Sequence, residues 1–559
     1  MRALSLVSKL ALVCGVSASL LLPACASDEP AKDPGAEGTG TDGDDYANDE
    51  QPFTSDQATL LDFEFDGELS VDNVWDAEQA VQDQLLYTIG HLNENNAVGR
   101  LDKLTLTNVK RISNPDNSTT IKYHAVLPVG WGSKSNLPTA YTFKLPKDIS
   151  ASALERFTES YKHDCVDWGA HDVDAGSMWY YYRPGKCTLA EADYLTFEAK
   201  VTKSAENRTG AYPEFDKIWA DQQLRVVAIF GKYEDGKTDN SDAGISAYNR
   251  FIGAAQKELG TTLVSSPAGV GSTAGVKNPD VKLDGTLADG RKIHIRALLV
   301  DNVAAAGADF DARYSEESAD ADVIIYSGHA GLGQNVRALA RKGEFKAAKY
   351  QIMFMNGCDT FAYVDGSMAQ SRALLNPDDA SGTKYLDIIT NVMPSMFASM
   401  PRAATTLLKG LTAPTKYEDI FKNIDRSQVI LVTGEEDNAY TPDGPKPPVT
   451  PPTSFTGLTK TGNVKPNEGA QYEVGELPPG KYLAQTTEDP KNPGGDVDLY
   501  VRFGSAPTLA SYDFRPYRDG SNESIPFELK APTKVFVMVQ GYEQAPGASP
   551  YLLSVRPTK

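Results

Sequence analysis

Two short apolar runs, each ending in a glycine and a reactive side chain, constrain this chain more than any other feature. The first run is Asp322–Ala330 (DVIIYSGHA) and the second is Tyr350–Asp359 (YQIMFMNGCD). Runs of this kind are typical of strands that are covered on both faces of a parallel sheet. Chemistry in open α/β sheets is carried at the carboxyl ends of such strands. We therefore expect His329 and Cys358 to form a base and nucleophile pair at one sheet edge.

Length and charge limit the possible classes of protein. A chain of 559 residues is too long for one hydrophobic core and predicts about two to four domains. The net charge of −21 argues against nucleic-acid binding, because phosphate recognition needs a basic stripe and none is visible.

The N-terminus has the pattern of a targeting segment. A basic start, an apolar stretch over residues 10–22 and the tetrapeptide Leu-Pro-Ala-Cys ending at Cys25 resemble a bacterial lipoprotein signal. That resemblance implies cleavage before Cys25, lipidation of its thiol, and anchoring in a bacterial membrane, either the outer membrane or the cell surface. The alternative is an ordinary secretory signal cleaved at Ala24 or Ala26. Both interpretations predict an exported protein.

The five cysteines separate into three groups under this interpretation. Cys14 is lost with the signal and Cys25 takes the lipid. Cys165 and Cys187 lie close together in one polar, aromatic-rich stretch and are the predicted disulfide in an oxidising compartment. Cys358 is then expected to be a lone reactive thiol, the alternative being a buried, inert cysteine that acts as a small hydrophobe.

Composition and periodicity divide the chain into six segments. The central segment is expected to be α/β, a mostly parallel sheet flanked by helices, since strand and helix patterns alternate along it. An α+β domain precedes it and an all-β sandwich follows it. The predicted bounds are 1–24 for the signal, 25–58 for a disordered acidic tether, 59–218 for the N-terminal accessory domain, 219–440 for the α/β domain, 441–454 for a proline-rich linker and 455–559 for the sandwich.

One loop of the N-terminal domain could in principle ligate a metal. Its histidines and carboxylates are of the right types, but no spacing among them is diagnostic. The favoured interpretation is a surface loop tied by the Cys165–Cys187 disulfide and anchored by the aromatic run 179–182. The candidate ligands are His163, Asp164, His171, Asp172 and Asp174.

The His329 and Cys358 motifs resemble those of the clan CD cysteine peptidases, the group of caspases, clostripain, gingipains and legumain. In that group one apolar strand ends in His-Gly and a later one in Ala-Cys or Gly-Cys; here Ala330 takes the place of the first glycine. The resemblance implies a caspase-like fold. It also implies that Cys358 attacks the scissile carbonyl, that His329 transfers the protons, and that the N–H groups of Ala330 and Cys358 form an oxyanion hole.

Residues 494–502 (GGDVDLYVR) resemble the core of the bacterial pre-peptidase C-terminal module, which accompanies secreted peptidases. Asp496 and Asp498 are weak candidates for calcium ligands, because two carboxylates fall short of the six to eight oxygens that Ca²⁺ prefers. Structural hydrogen bonding is an equally good interpretation of both, and no other cofactor is expected.

These observations together predict an exported cysteine endopeptidase that acts on a protein or peptide substrate and meets the membrane through its N-terminal lipid. The alternative is a catalytically inactive caspase-like surface lipoprotein with an adhesion or scaffolding role. Two residues support that alternative. Ala330 departs from the motif, and the charge of Asp359, if close, would raise the pKa of the neighbouring thiol.

Overall fold

The computed structural model describes residues 58–558 with short gaps. The predicted signal, residues 25–57 of the predicted tether, Cys14 and Cys25 lie outside the described residues. Ala58, the last residue of that tether, is buried. The gaps are 73–75, 133–135, 171–172, 205–210, 260–262, 365, 377, 380, 426–427, 435–437, 439, 445–454, 456, 490–493, 510, 517–519, 543–544 and 546.

The N-terminal domain packs helix α1 against one antiparallel sheet. The sheet order is β2-β4-β1-β6-β5, and β3 also pairs with β4. Side chains alternate between buried and exposed along much of β1. Asp76 caps the N-terminus of α1, and its carboxylate accepts hydrogen bonds from N–H groups of the first turn. The elements are β1 Thr59–Val71, α1 Ala77–Asn93, β2 Ala97–Gly99, β3 Thr105–Ser113, β4 Thr119–Trp131, β5 Ala140–Pro146, α2 Ala151–Tyr161, α3 Met178–Tyr181 and β6 Tyr194–Lys203.

The aromatic-rich loop of this domain is closed by a disulfide between Cys165 and Cys187, as predicted. Helix α3 lies inside the closed loop, and its residues are buried. The backbone N–H of Arg183 donates to the carbonyl of Cys165, which ties the end of the aromatic run to the first half-cystine. The loop is therefore anchored from within and is part of the domain core.

The second domain is built on an eight-stranded sheet of order β14-β13-β12-β11-β7-β10-β9-β8. Strands β13, β12, β11, β7 and β10 are parallel, whereas β14 and the β9–β8 edge are antiparallel. The elements are α4 Phe215–Ile218, β7 Gln223–Gly231, α5 Ala243–Glu258, β8 Val264–Ser266, β9 Asp280–Thr286, β10 Lys292–Val300, α6 Ala308–Ser318, β11 Val323–Ser327, α7 Gln334–Lys342, β12 Gln351–Asn356, α8 Thr360–Tyr363, α9 Ser367–Ala373, β13 Leu386–Asn391, α10 Met400–Gly410, α11 Tyr417–Ile420 and β14 Ile430–Thr433.

Alternate side chains of the central strands belong to two different apolar cores. On β11, Val323 and Ile325 pack with helices α5 and α10, whereas Ile324 and Tyr326 belong to a core that continues into the N-terminal domain. Helix α4 packs in the same core as α5 and α10, although it precedes the predicted domain boundary at residue 219. The N-terminal and α/β domains thus share one continuous hydrophobic core.

The C-terminal segment is a two-layer arrangement of antiparallel strands around its own apolar core. One sheet has the order β15-β21-β17-β19 and the other β16-β20-β18. Among the described helices, none combines the length and apolar character that crossing a bilayer requires. The strands are β15 Leu458–Val464, β16 Gly469–Leu477, β17 Gly480–Glu488, β18 Val497–Phe503, β19 Glu523–Leu529, β20 Thr533–Gly541 and β21 Ser549–Thr558.

Removing the loop disulfide should destabilise the N-terminal domain. The two half-cystines are 22 residues apart, and a closed loop of that length stabilises a fold by about 3 kcal/mol, chiefly by restricting the unfolded chain. We expect the double variant Cys165→Ala/Cys187→Ala to lose that amount in chemical unfolding followed by tryptophan fluorescence. Thr188→Ala, an exposed change beside the bridge, should stay within about 0.5 kcal/mol of the native chain. Equal stability of the native chain and the double variant would contradict the expectation.

Candidate active site

His329 and Cys358 occupy equivalent positions at the ends of neighbouring parallel strands. Ser327 at the end of β11 is paired with Asn356 at the end of β12, so each reactive residue follows its strand by two positions. The N–H of Gly328 donates to the carbonyl of Asn356 at 3.2 Å, which continues the pairing beyond the strands. Both residues therefore leave the sheet at the same carboxyl edge, beside the end of β7.

His329 is held by a backbone carbonyl and two aromatic rings. Its Nε2 lies 3.0 Å from the carbonyl oxygen of Tyr233, just beyond β7. Because a carbonyl only accepts, we assign the ring proton to Nε2, which leaves Nδ1 with a lone pair. Nδ1 is buried and has no hydrogen-bond partner among the described residues. The rings of Tyr233 and Phe397 lie 5.3 and 5.0 Å from the imidazole.

Burial lowers the pKa of His329 and so favours the neutral imidazole. The carbonyl of Tyr233 and the carboxylate of Asp242 oppose this effect by favouring the protonated ring. A neutral imidazole with a lone pair at Nδ1 can accept a proton from a thiol or a water molecule.

Cys358 is enclosed by the connection between β13 and α10, residues 392–399. Its side chain is 1% exposed, and Sγ lies 3.4 Å from both the backbone nitrogen and the backbone oxygen of Ser395. Cys165 and Cys187 bond to each other, and Cys14 and Cys25 lie outside the described residues, so the interpretation of Cys358 as a reactive thiol stays a prediction.

The turns after the two strands approach each other closely enough to require glycine. A Cβ on Gly357 would lie 2.7 Å from the carbonyl oxygen of Gly328 and 3.4 Å from the nitrogen of Ala330. The Ala330 N–H is thus next to the turn that carries Cys358, where the predicted oxyanion hole requires a donor. The methyl group of Ala330 is buried in the core shared with the N-terminal domain.

A buried polar network fixes the end of β12. The side-chain oxygen of Asn356 accepts hydrogen bonds from Asn391 (3.1 Å), Gln428 (3.0 Å) and Ser395 (3.2 Å). Asn391 also donates to the carbonyl of Gly357 at 3.1 Å. Sequence reasoning missed these residues and the Tyr233 carbonyl. The available signal was a polar amide closing each of two apolar strands, Asn356 and Asn391.

Asp359 directs its carboxyl group into the N-terminal domain. Its backbone is left-handed, with φ of 49°, and its side chain is fully buried. Asn93 Nδ2 donates to one carboxyl oxygen at 3.2 Å, and the hydroxyl of Tyr180 donates to the other at 3.1 Å. Burial raises the pKa of Asp359 to about 7, although nearby Arg183 and both hydrogen bonds favour the charged form.

Three of the predicted metal candidates, Asp174, Asp496 and Asp498, have protein partners. Asp174 accepts from the N–H and the hydroxyl of Ser177, and His171 and Asp172 are not described. Asp496 accepts from the N–H of Gly520 at 3.2 Å. Asp498 accepts from Arg515 at 3.0 Å. Within the described part of the chain, no group of three or more His, Cys, Asp or Glu side chains has a metal-binding arrangement.

Comparison with known proteins identifies the C-terminal segment. Residues 483–541, from β17 to β20, match the family model described as the bacterial pre-peptidase C-terminal domain. The chain carries a pre-peptidase C-terminal domain. Its Asp496–Arg502 stretch leads into and forms most of β18, the strand beside β20 in the three-stranded sheet.

The curated relatives match through a similar short stretch. Alkaline serine exoprotease A of Vibrio alginolyticus is 44% identical over 55 residues, which is 10% of each chain. Xanthomonalisin of Xanthomonas sp. (strain T-22) is 49% identical over 54 residues, which is 10% of this chain and 6% of the relative. The chain therefore covers no more than a tenth of the length of either relative.

Among solved structures, the chain is similar to the solution structure titled vEP C-ter 100. The identity is 29%, with a TM-score of 0.15, and the match covers 18% of this chain and 91% of that structure.

Replacing Gly357 with alanine should disrupt the approach of the two strand ends. The added Cβ would meet the backbone oxygen of Gly328, a residue whose own N–H is bonded to the carbonyl of Asn356 at the end of β12. We expect Gly357→Ala to lower the free energy of unfolding by about 1–3 kcal/mol. Gly307→Ala is the matched control, because a Cβ there has no atom within 4 Å. The two variants should be compared by chemical denaturation, and equal midpoints would contradict the close approach.

The buried carboxyl of Asp359 should make stability depend on pH. Its pKa in the folded protein is about 7, against 3.8 for an ordinary aspartate, so folding becomes less favourable as pH rises from about 4 to about 7. Relative to Asp359→Asn, the native chain should lose about 2–4 kcal/mol of unfolding free energy across that interval. Asp309→Asn, at the exposed start of α6, should show no such difference from the native chain. Parallel stability profiles for native and Asp359→Asn chains would disprove this.

Proposed function

We propose that the protein is an exported cysteine endopeptidase of caspase-like fold that hydrolyses peptide bonds through Cys358 and His329. The observation that carries the proposal is the paired register of β11 and β12, which brings a histidine and a cysteine to equivalent positions on one sheet edge. The C-terminal domain supports a peptidase more generally, because alkaline serine exoprotease A of Vibrio alginolyticus, which matches there, is named as a protease.

The sheet order supports a ligand site at the edge where His329 lies. Strand β7 lies between β10 and β11. The next parallel strand in the chain, β10, therefore lies on one side of β7, and the following one, β11, lies on the other. Ligands of open α/β sheets bind outside the carboxyl ends of the strands at such a switch point. Tyr233 and His329 follow the two strands, β7 and β11, that flank this point.

The proposed reaction uses the lone pair at Nδ1 of His329. Nδ1 takes the proton of the Cys358 thiol, and the thiolate attacks the scissile carbonyl carbon to form a sulfur–carbon bond. The N–H groups of Ala330 and Cys358 donate to the resulting oxyanion. When the carbon–nitrogen bond breaks, His329 protonates the leaving amine. It then takes a proton from water, which hydrolyses the thioester and restores the thiol.

Catalysis by this route requires a reduced sulfur and an accessible one. Cys358 must be reduced, since a disulfide sulfur carries no proton and cannot act as the nucleophile. Residues 392–399 must also move away from Sγ, because the cysteine is 1% exposed beneath them. The active form is therefore a reduced protein in which this connection has opened.

The proposed location is outside the cytoplasm, with the chain held on a bacterial membrane by lipid on Cys25. This part of the proposal is supported by the N-terminal sequence pattern and by the disulfide between Cys165 and Cys187, which is typical of oxidising compartments. The Vibrio alginolyticus relative is named as a serine exoprotease, so the cysteine type of the reaction is supported by Cys358 and His329 alone.

A second candidate function is a catalytically inactive surface lipoprotein that retains the fold and acts in adhesion or scaffolding. The enclosure of Cys358 favours it, since it keeps a substrate from the sulfur. The two candidates differ in the reactivity of Cys358, because only the peptidase has a working nucleophile.

The full mature chain, treated with dithiothreitol, should cleave a quenched fluorescent peptide library and react with a peptidyl acyloxymethyl ketone probe. Cys358→Ala should abolish both activities, because it removes the sulfur. His329→Ala should lower peptide cleavage about 10²–10⁴-fold, the usual contribution of a positioned acid or base.

His294→Ala is the matched histidine control, since His294 lies on β10 and bonds the carboxylate of Asp284 at 2.6 Å. It should retain the activity of the native chain. Labelling that survives Cys358→Ala, or a reduced native chain that neither cleaves nor labels, would refute the peptidase and favour the inactive lipoprotein.

A further inference from the structure

The turn that carries Cys358 is held from two domains at once. The N–H of Asp359 donates to the carbonyl of Met393 at 3.2 Å, within the α/β domain. Both hydrogen bonds to the Asp359 carboxyl come from the N-terminal domain, through Asn93 and Tyr180. A left-handed backbone at a residue other than glycine costs of order 1–3 kcal/mol and persists only where the surroundings impose it.

The two donors are themselves fixed by a buried arginine. Arg183 donates from Nη1 to the carbonyls of Gly90 (2.8 Å) and Tyr180 (3.1 Å), and from Nη2 to the side-chain oxygen of Asn93 (3.4 Å). Its guanidinium thus joins the end of α1 to helix α3. The amide nitrogen of Asn93 then donates to the Asp359 carboxyl and to the carbonyl of Ala97.

This arrangement accounts for the disulfide-closed loop. The loop places Tyr180 inside the shared core, and the backbone bond from Arg183 to Cys165 fixes its end. The chain between the half-cystines therefore presents a hydroxyl to the residue next to the nucleophile, 179 positions away along the sequence.

We propose that Asn93 and Tyr180 are positioning residues for the nucleophile, and that the N-terminal domain is a permanent part of the catalytic unit. Neither residue touches the substrate in this proposal. They act by holding the Cys358–Asp359 turn in its left-handed form, which sets the direction of Sγ relative to Nδ1 of His329. The inference rests on the proposed peptidase only for its activity measurement.

The groups that face the Asp359 carboxyl are Asn93, Tyr180 and Arg183, with Asp167 and Tyr363 acting at longer range. Tyr180 favours the charged carboxylate, so loss of its hydroxyl should raise the pKa of Asp359 further. A pH profile therefore reports whether the contact is made in solution.

The test compares Tyr180→Phe and Asn93→Ala with the native full chain under conditions that leave the Cys165–Cys187 disulfide intact. Two quantities are measured: kcat and KM for a fluorogenic peptide, and the rate of alkylation of Cys358 by iodoacetamide, followed by mass spectrometry. Because misplacement of a reacting group by about 1 Å can cost about 10²-fold in rate, we expect kcat to fall at least about tenfold with little change in KM. The alkylation rate and its pH dependence should also change.

Tyr182→Phe is the matched control. It removes one tyrosine hydroxyl, bonded to the carbonyl of Lys144 at 3.0 Å, from the same buried segment without touching Asp359. It should lose comparable stability and keep the native kcat and alkylation rate. If Tyr180→Phe and Asn93→Ala behave like Tyr182→Phe in both measurements, the positioning role is overturned.

Failure of the peptidase proposal is a separate result. A reduced native chain that cleaves no peptide would refute the enzyme. Altered Cys358 alkylation in Tyr180→Phe and Asn93→Ala, against an unaltered Tyr182→Phe, would still establish that the N-terminal domain controls the geometry of the Cys358 turn.

Discussion

Burial of the central strands on both faces is the constraint on which the rest of the structure depends. Neighbouring side chains of β11 and β12 face two separate apolar layers, so neither face of these strands meets water. Polar groups are then confined to the strand ends, where Asn356 closes β12 and finds its partners inside the protein. His329 and Cys358 lie just beyond, in turns that continue from the paired strand ends.

The second consequence of two-sided burial concerns the N-terminal domain. One apolar layer of the sheet is completed by side chains from that domain, and the N–H of Ala58 at its start donates to the carbonyl of Ile430 in β14. Separating the two domains would expose one face of a hydrophobic sheet to water, which is costly in proportion to the area exposed. The N-terminal domain therefore covers one of the two faces of the sheet.

Sequence patterns predicted the features that depend on residues close together in the chain. The apolar runs before His329 and Cys358 are strands in the structure, and the disulfide between Cys165 and Cys187 was predicted from their proximity within one loop. Strand β1 was missed, although hydrophobic and polar residues alternate along much of it. The partners of Asp359 lie 266 and 179 positions away, and no periodicity within a sequence window carries that information. The Tyr233 carbonyl is a backbone group, which side-chain identity cannot reveal.

The two kinds of sulfur chemistry in this chain have opposite requirements. The loop that presents Tyr180 is closed by an oxidised pair, whereas acyl transfer by Cys358 needs a reduced sulfur. A compartment that is strongly reducing would open the loop, and one that is strongly oxidising would oxidise the Cys358 thiol. The protein can have both features together only where the Cys165–Cys187 bridge resists a level of reductant that keeps Cys358 a thiol. The working range of such a site would be set by the thiol–disulfide balance around it as much as by pH.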